Sequence, residues 1–226
     1  MKKIFFTALT LTAINLNAQV SVNLANRINT ELLANKTSSN RYEKVSGSPY
    51  LYESFGLAKI SSLPGEVLVR YNAELDEIEI DNGDGKKYLL PKSEDYKTVE
   101  LKNGQGKFIL ERYSDASGSD SYGYLIEKFA KNETKFYKRE KIKLIQAKTA
   151  ESSYSQDTPA KLIKGNEEYY LKTKDKNAEL FPNSKKKLIA LFPEKKSEIE
   201  SFLKDKNPSF KKEEGMTQIT EFIATL

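Results

Sequence analysis

The chain reads as an α+β protein: an antiparallel β-meander or half-open barrel followed by a short helical C-terminal tail. Three observations lead there. In Glu77-Ile78-Glu79-Ile80-Asp81 apolar and acidic residues alternate, and a period of two places the isoleucines on one face and the carboxylates on the other, as a wet face. Short runs of this kind recur from Tyr50 to Lys172, joined by turn pairs such as Asn82-Gly83, Asn103-Gly104 and Gly165-Asn166, which tolerate the positive φ of tight hairpins. Beyond residue 172 the apolar period lengthens to that of a helix.

Residues 1–18 read as a signal peptide. Lys2 and Lys3 precede an apolar run from Ile4 to Leu16, and Ala18 supplies the small residue at the cleavage point. About 13 apolar-biased residues are too few to span a bilayer, which needs roughly 20. The expected location is the periplasm or the medium. The chain has no cysteine, which excludes a lipoprotein anchor, disulfides and thiolate metal sites.

Residues 19–49 are expected to hold an N-terminal helix carrying Leu24, Ile28 and Leu32, then a polar linker or mobile loop over 36–48. The β domain spans 50–172, with strands expected at 50–60, 66–72, 75–81, 86–91, 96–102, 106–113, 121–130, 134–146 (broken near Arg139), 159–164 and 168–173. Ser114 to Ser121 forms a flexible tip, and Ala150 to Pro159 a second polar linker. Residues 173–226 form the helical tail packed on the sheet. Asn183 or Ser184 caps its first helix, Pro193 opens the second, and Asn207-Pro208 ends it. The last helix carries Met216, Ile219, Phe222 and Ile223, with its firm part after Gly215.

The run from Lys187 to Asn207, KLIALFPEKKSEIESFLKDKN, resembles the C-terminal end of uncharacterised exported proteins of Bacteroidetes, of the flavobacterial type. The Ala18-Gln19 junction is similar to their signal junction, and the likeness extends loosely to Arg70-Tyr71-Asn72. That group carries no established activity, so the resemblance implies export and an envelope setting alone.

The absent residue types are informative about chemistry. Without histidine or cysteine there is no Ser-His-Asp or Cys-His nucleophile system and no imidazole-ligated zinc. Carboxylate chemistry remains, so a glycan hydrolase built on two Asp or Glu is the alternative to a non-catalytic binding or structural protein. The densest acids, Glu74 to Asp84, fit a solvated hairpin face better than a catalytic pair. Asp81, Asn82 and Asp84 are the candidate calcium ligands around a Gly-rich turn, although Gly83, Lys86 and Lys92 stand where an EF-hand needs its third, sixth and twelfth residues.

Two further groups are candidates for binding. The whole-chain charge is +5, and the segment from Lys161 onward holds 14 Lys against 11 Asp plus Glu. Lys185, Lys186, Lys187, Lys195 and Lys196 form a candidate patch for anionic envelope lipid; interleaved Glu and the lack of Arg there argue against nucleic acid. There are 13 tyrosines and no tryptophan. Tyr122 and Tyr124 share a strand face beside the Ser114 to Ser121 tip and, with Tyr113 in the preceding expected strand, form a candidate platform for a glycan or peptide.

Overall fold

The computed structural model describes residues 41–81, 83, 87–102, 104–150, 156–174 and 176–226. The expected signal peptide, the N-terminal helix, Asn82 and Asp84 lie outside them. Ten strands form one antiparallel sheet: β1 (Gly56–Ile60), β2 (Glu66–Asn72), β3 (Glu77–Asp81), β4 (Lys87–Leu89), β5 (Thr98–Leu101), β6 (Gly106–Ser114), β7 (Asp120–Lys131), β8 (Thr134–Arg139), β11 (Glu168–Lys172) and β12 (Glu179–Leu180). Their order is β12-β11-β8-β7-β6-β5-β1-β2-β3-β4. The chain is α+β, and among the described residues no ladder closes the sheet into a barrel.

The sheet is strongly curled. Three strand spacings separate β2 from β6, about 14 Å if the sheet were flat. Yet the rings of Tyr71 on β2 and Phe108 on β6 meet with centroids 4.9 Å apart. The concave face so formed buries Ala58, Ile60, Val69, Ile78, Ile80, Val99, Leu110 and Tyr124, each at most 3% exposed. Side chains of that size contribute about 1.5 to 3 kcal/mol each on burial. The other half curls the opposite way. Ala178 pairs with Tyr113 while β12 pairs with β11, so β6, β7, β8, β11 and the 178–180 segment wrap around Tyr113, Leu125, Tyr137 and Tyr170.

Several elements depart from their expected form. Residues 134–146 do break near Arg139, but the second part, β9 (Ile142–Ile145), leaves the sheet and pairs only with β10 (Lys161–Lys164). The sheet continues past residue 172 through β12, whose two exposed residues carry no apolar pattern to betray a strand. Residues 41–48 of the segment expected as a linker and the first half of the expected 50–60 strand form a strap. Arg41 and Tyr42 hold Glu74, Ser46 bridges to Lys161, and Tyr50 bridges to Asn72.

That strap corrects the reading of β3. Glu79 is not on a wet face; it is 2% exposed. The strap covers it, and Arg70 Nη2 and the Tyr50 hydroxyl reach its two carboxylate oxygens at 2.7 and 3.1 Å. The Arg70 guanidinium is sandwiched between the rings of Tyr50 and Phe55, 3.4 and 4.4 Å from their centroids. Alternation gives the side a residue points to, and a segment distant in sequence decides whether that side is wet.

The tail packs on the sheet as expected. Ser184 caps α1 (Lys185–Leu191) through the Lys187 N–H, Pro193 opens a 3-10 turn leading into α2 (Lys196–Lys206), and Asn207 ends α2 at φ 45°. The third helix, α3 (Glu213–Ile223), begins before Gly215, where glycine leaves room for the Ser209 backbone that a Cβ would strike. Leu188, Ile199, Met216, Ile219 and Ile223 close on Phe136 and Leu171 of the sheet. Among the described residues no helix is long and apolar enough to cross a membrane.

Candidate functional site

The tyrosine platform does not form as an open surface. Tyr113 and Tyr124 are 2% and 1% exposed, each taken into one of the two curls of the sheet. The Tyr124 ring meets Tyr71 edge-on at 6.2 Å, and Tyr113 meets Tyr170 at 5.1 Å. Tyr122 alone stays half-buried; its hydroxyl donates to Glu94 at 3.1 Å and Arg112 lies over its ring. The period of two placed Tyr122 and Tyr124 on one face correctly, but the curl turned most of that face into core.

What these residues surround instead is a polar seam. The last pair of the β7–β8 ladder is Ile126 with Lys138, so β8 leaves the outer edge of β7 beyond Tyr124 without a strand. The β2–β3 turn fills the gap. Asp76, held at φ 56°, a conformation Asp tolerates better than most residues, accepts the Tyr124 N–H at 3.1 Å and the Tyr71 hydroxyl at 2.8 Å on Oδ1. Its Oδ2 takes Lys92 Nζ at 2.6 Å. Burial first, and then the Asp76 charge, push the Tyr71 and Tyr124 phenols well above their ordinary value, so both stay neutral; the Tyr71 hydroxyl donates to Asp76, whereas that of Tyr124 is buried without a partner.

Arg139, the last residue of β8, stands at the same seam. Its guanidinium lies 4.9 Å from the Tyr113 ring centroid, opposite Glu168 in the ladder. Glu168 is engaged elsewhere: Lys141 reaches Oε1 at 2.7 Å and the Tyr170 hydroxyl donates to Oε2 at 2.8 Å. In the sequence Arg139 stands out only as the residue at a strand break and Asp76 only as one of the acids of a solvated hairpin face, because the contacts that single them out cross the sheet.

A cleft of about 250 Å³ opens beside the β8–β9 junction. Leu51, Ile142 and Leu162 line it with Glu140, Lys141 and Lys164 among the charged groups, and Ile163 is 40% exposed beside them. Lys164 and Lys138 both bind Glu140, at 3.0 and 2.8 Å, so the charges at the cleft are already paired.

The other sequence candidates stay dispersed. Asp81 accepts the Gly83 N–H at 2.8 Å, closing its own turn, while Asn82 and Asp84 lie outside the described residues. No group of three or more acidic, histidine or cysteine residues able to hold a metal occurs among the described residues. Of the five lysines, Lys185 pairs with Glu200 and Lys195 with Glu198, whereas Lys186, Lys187 and Lys196 are exposed. No protein-family model, curated protein or solved structure matches the chain.

Proposed function

We propose that the chain is an exported, non-catalytic binding or structural protein of the cell envelope. The observation that carries the non-catalytic part is the use made of its carboxylates. A glycosidase needs an acid whose pKa is raised so that it can donate a proton near neutrality. Here Glu94, Asp115, Glu140 and Glu167 are all held below the ordinary carboxylate range. Lys97 does this for Glu94 and Ser117 for Asp115; Lys138 and Lys164 outweigh the burial of Glu140; Lys138 and Tyr169 bring Glu167 to about 2. The buried acids Glu79 and Glu111 serve as latches, Glu111 holding Lys172 at 2.7 Å and the Tyr137 hydroxyl at 3.2 Å.

The binding reading rests on the cleft beside Ile142 and Ile163, which joins an apolar floor to a fixed charged rim, as small-ligand sites do. Glycan, peptide and anionic envelope lipid are the ligand classes to test. A thermal-shift screen against these and calcium reads binding directly: a ligand at 100 times its Kd stabilises by about 2.7 kcal/mol. A response abolished by Ile142→Asp places it in the cleft, and a flat screen leaves the structural role. Export is tested by N-terminal sequencing of protein recovered outside the cytoplasm, which should begin at Gln19.

A further inference from the structure

Two arginines of this protein are stacked on aromatic rings and largely withdrawn from water, and they differ in one respect. Arg70, with a side chain 12% exposed, uses its guanidinium: Nη2 reaches Glu79 at 2.7 Å and Nη1 the Glu53 carbonyl at 3.0 Å. Arg139, with a side chain 17% exposed, makes no side-chain hydrogen bond among the described residues. Its Nε is buried without a partner, as that of Arg70 is, and Nη1 forms only a long ion pair with Glu168 Oε2 at 3.7 Å, beyond hydrogen-bond reach.

A guanidinium carries five N–H donors in a planar fork and stays charged in a protein. In Arg139 only Nε is fully buried, while the two Nη groups make no hydrogen bond among the described residues and stay open to an incoming acceptor. Beyond the long Glu168 ion pair, the described residues supply no hydrogen-bond acceptor to them. Both oxygens of Glu168 are taken by Lys141 and Tyr170, and those of Asp76 by Tyr71, the Tyr124 N–H and Lys92. The phenols of Tyr71, Tyr113 and Tyr170, which share the charge environment of Arg139, are neutral. Against the three cations Arg139, Lys141 and Lys92 stand two carboxylates, leaving one positive charge uncompensated at the seam.

We propose that Arg139 is the recognition residue for a small monovalent carboxylate. The fork geometry of a guanidinium matches a carboxylate with two parallel hydrogen bonds, and one negative charge completes the local balance where a phosphate dianion would overshoot it. The Tyr113 ring covers one face of the guanidinium, so the acid enters edge-on, in the plane of the fork. This site is separate from the cleft beside Ile142 and stands whether or not that cleft takes a ligand and whether or not the chain is exported.

The test is a titration of the purified chain with acetate, D-glucuronate and N-acetylglycine, set against sodium chloride and inorganic phosphate at equal ionic strength. Melting temperature and tyrosine fluorescence, unmasked because the chain has no tryptophan, are the two readouts. The expected result is a saturable rise in Tm and a change in tyrosine emission with at least one carboxylate, absent with chloride and weaker with phosphate. The three acids separate a simple organic acid from a uronic sugar and a peptide-like terminus. Arg139→Gln should abolish the response, Arg139→Lys should weaken it at least tenfold while keeping the charge and the fold, and Lys131→Gln, at the far end of β7, should leave it unchanged. Equal effects of acetate, glucuronate, N-acetylglycine and chloride, tighter binding of phosphate, or an undiminished response in Arg139→Lys would each overturn the proposal.

Discussion

The carboxylate of Asp76 occupies the space a Cβ on Gly123 would need, and from there it accepts the neighbouring Tyr124 N–H. A side chain thus replaces the ladder partner that β8 withdraws. Gly123→Ala should therefore cost about 1 to 3 kcal/mol in urea denaturation, as overpacking does. In an Asp76→Gly background, where the carboxylate is gone and the positive φ is still allowed, the same change should cost less than about 1 kcal/mol. Additive costs would show that the two residues do not compete for that space.

Arg70 and Glu79 form a buried pair beneath Tyr50 and Phe55. Removing one partner strands the other's charge, so Glu79→Leu should destabilise by about 3 to 5 kcal/mol. The double variant Arg70→Met with Glu79→Leu should recover much of that loss. Equal costs for the single and double variants, measured by chemical denaturation, would contradict a coupled pair.

Alkaline stability follows from the phenols. Burial, then the neighbouring Glu74, pushes Tyr42 up to about 12; burial, then Glu79, does the same for Tyr50, and Tyr71 lies well above its ordinary value. A phenol in the unfolded chain titrates near 10. Above that pH the unfolded state binds fewer protons, so stability is full below about pH 10 and falls as pH rises toward the folded values. Phenolate absorbance should accordingly show a class of tyrosines that ionises only together with loss of the circular dichroism signal. Smooth reversible titration of all tyrosines near 10 would exclude this.

At the acid end the sign reverses. Glu167 lies at about 2 through Lys138 and Tyr169, and Lys138 also reaches Glu213 at the start of α3. A depressed carboxylate stabilises above its unfolded value, near 4.3, and that stabilisation is lost as pH falls through the folded value. Unfolding between about pH 4 and 2 should weaken helix docking, and Lys138→Met should flatten that part of the stability profile. An unchanged profile in Lys138→Met would place the acid sensitivity elsewhere.

Gly215→Ala separates propensity from packing. On helix propensity alone the change would stabilise α3 by about 1 kcal/mol. The Ser209 backbone stands where the new methyl would go, so a net loss in thermal stability is expected. A gain would mean that the 207–212 turn yields easily.

The strands and caps were legible because they obey local rules. The alternation in β3, the break near Arg139, the Ser184 cap and the Asn207-Pro208 stop each depend on residues within a few positions of one another. The candidate sites were less legible. Tyr113 and Tyr124 looked like surface tyrosines, and Glu79 like a solvated acid, since strand parity tells which way a side chain points and nothing about what arrives on that side.

By itself, the sequence determined the antiparallel rhythm, the change to helices after residue 172, and the absence of imidazole and thiol chemistry. The tertiary structure decided which polar groups are buried and with whom. The curl that brings Tyr71 to Phe108, the strap that covers Glu79, and the turn that carries Asp76 to Gly123 all join residues far apart along the chain. Whether a charge is solvated depends on such closures. That is why Arg139, an ordinary arginine at a strand end in the sequence, emerges only in three dimensions as a half-buried cation stacked on Tyr113 that makes no side-chain hydrogen bond among the described residues.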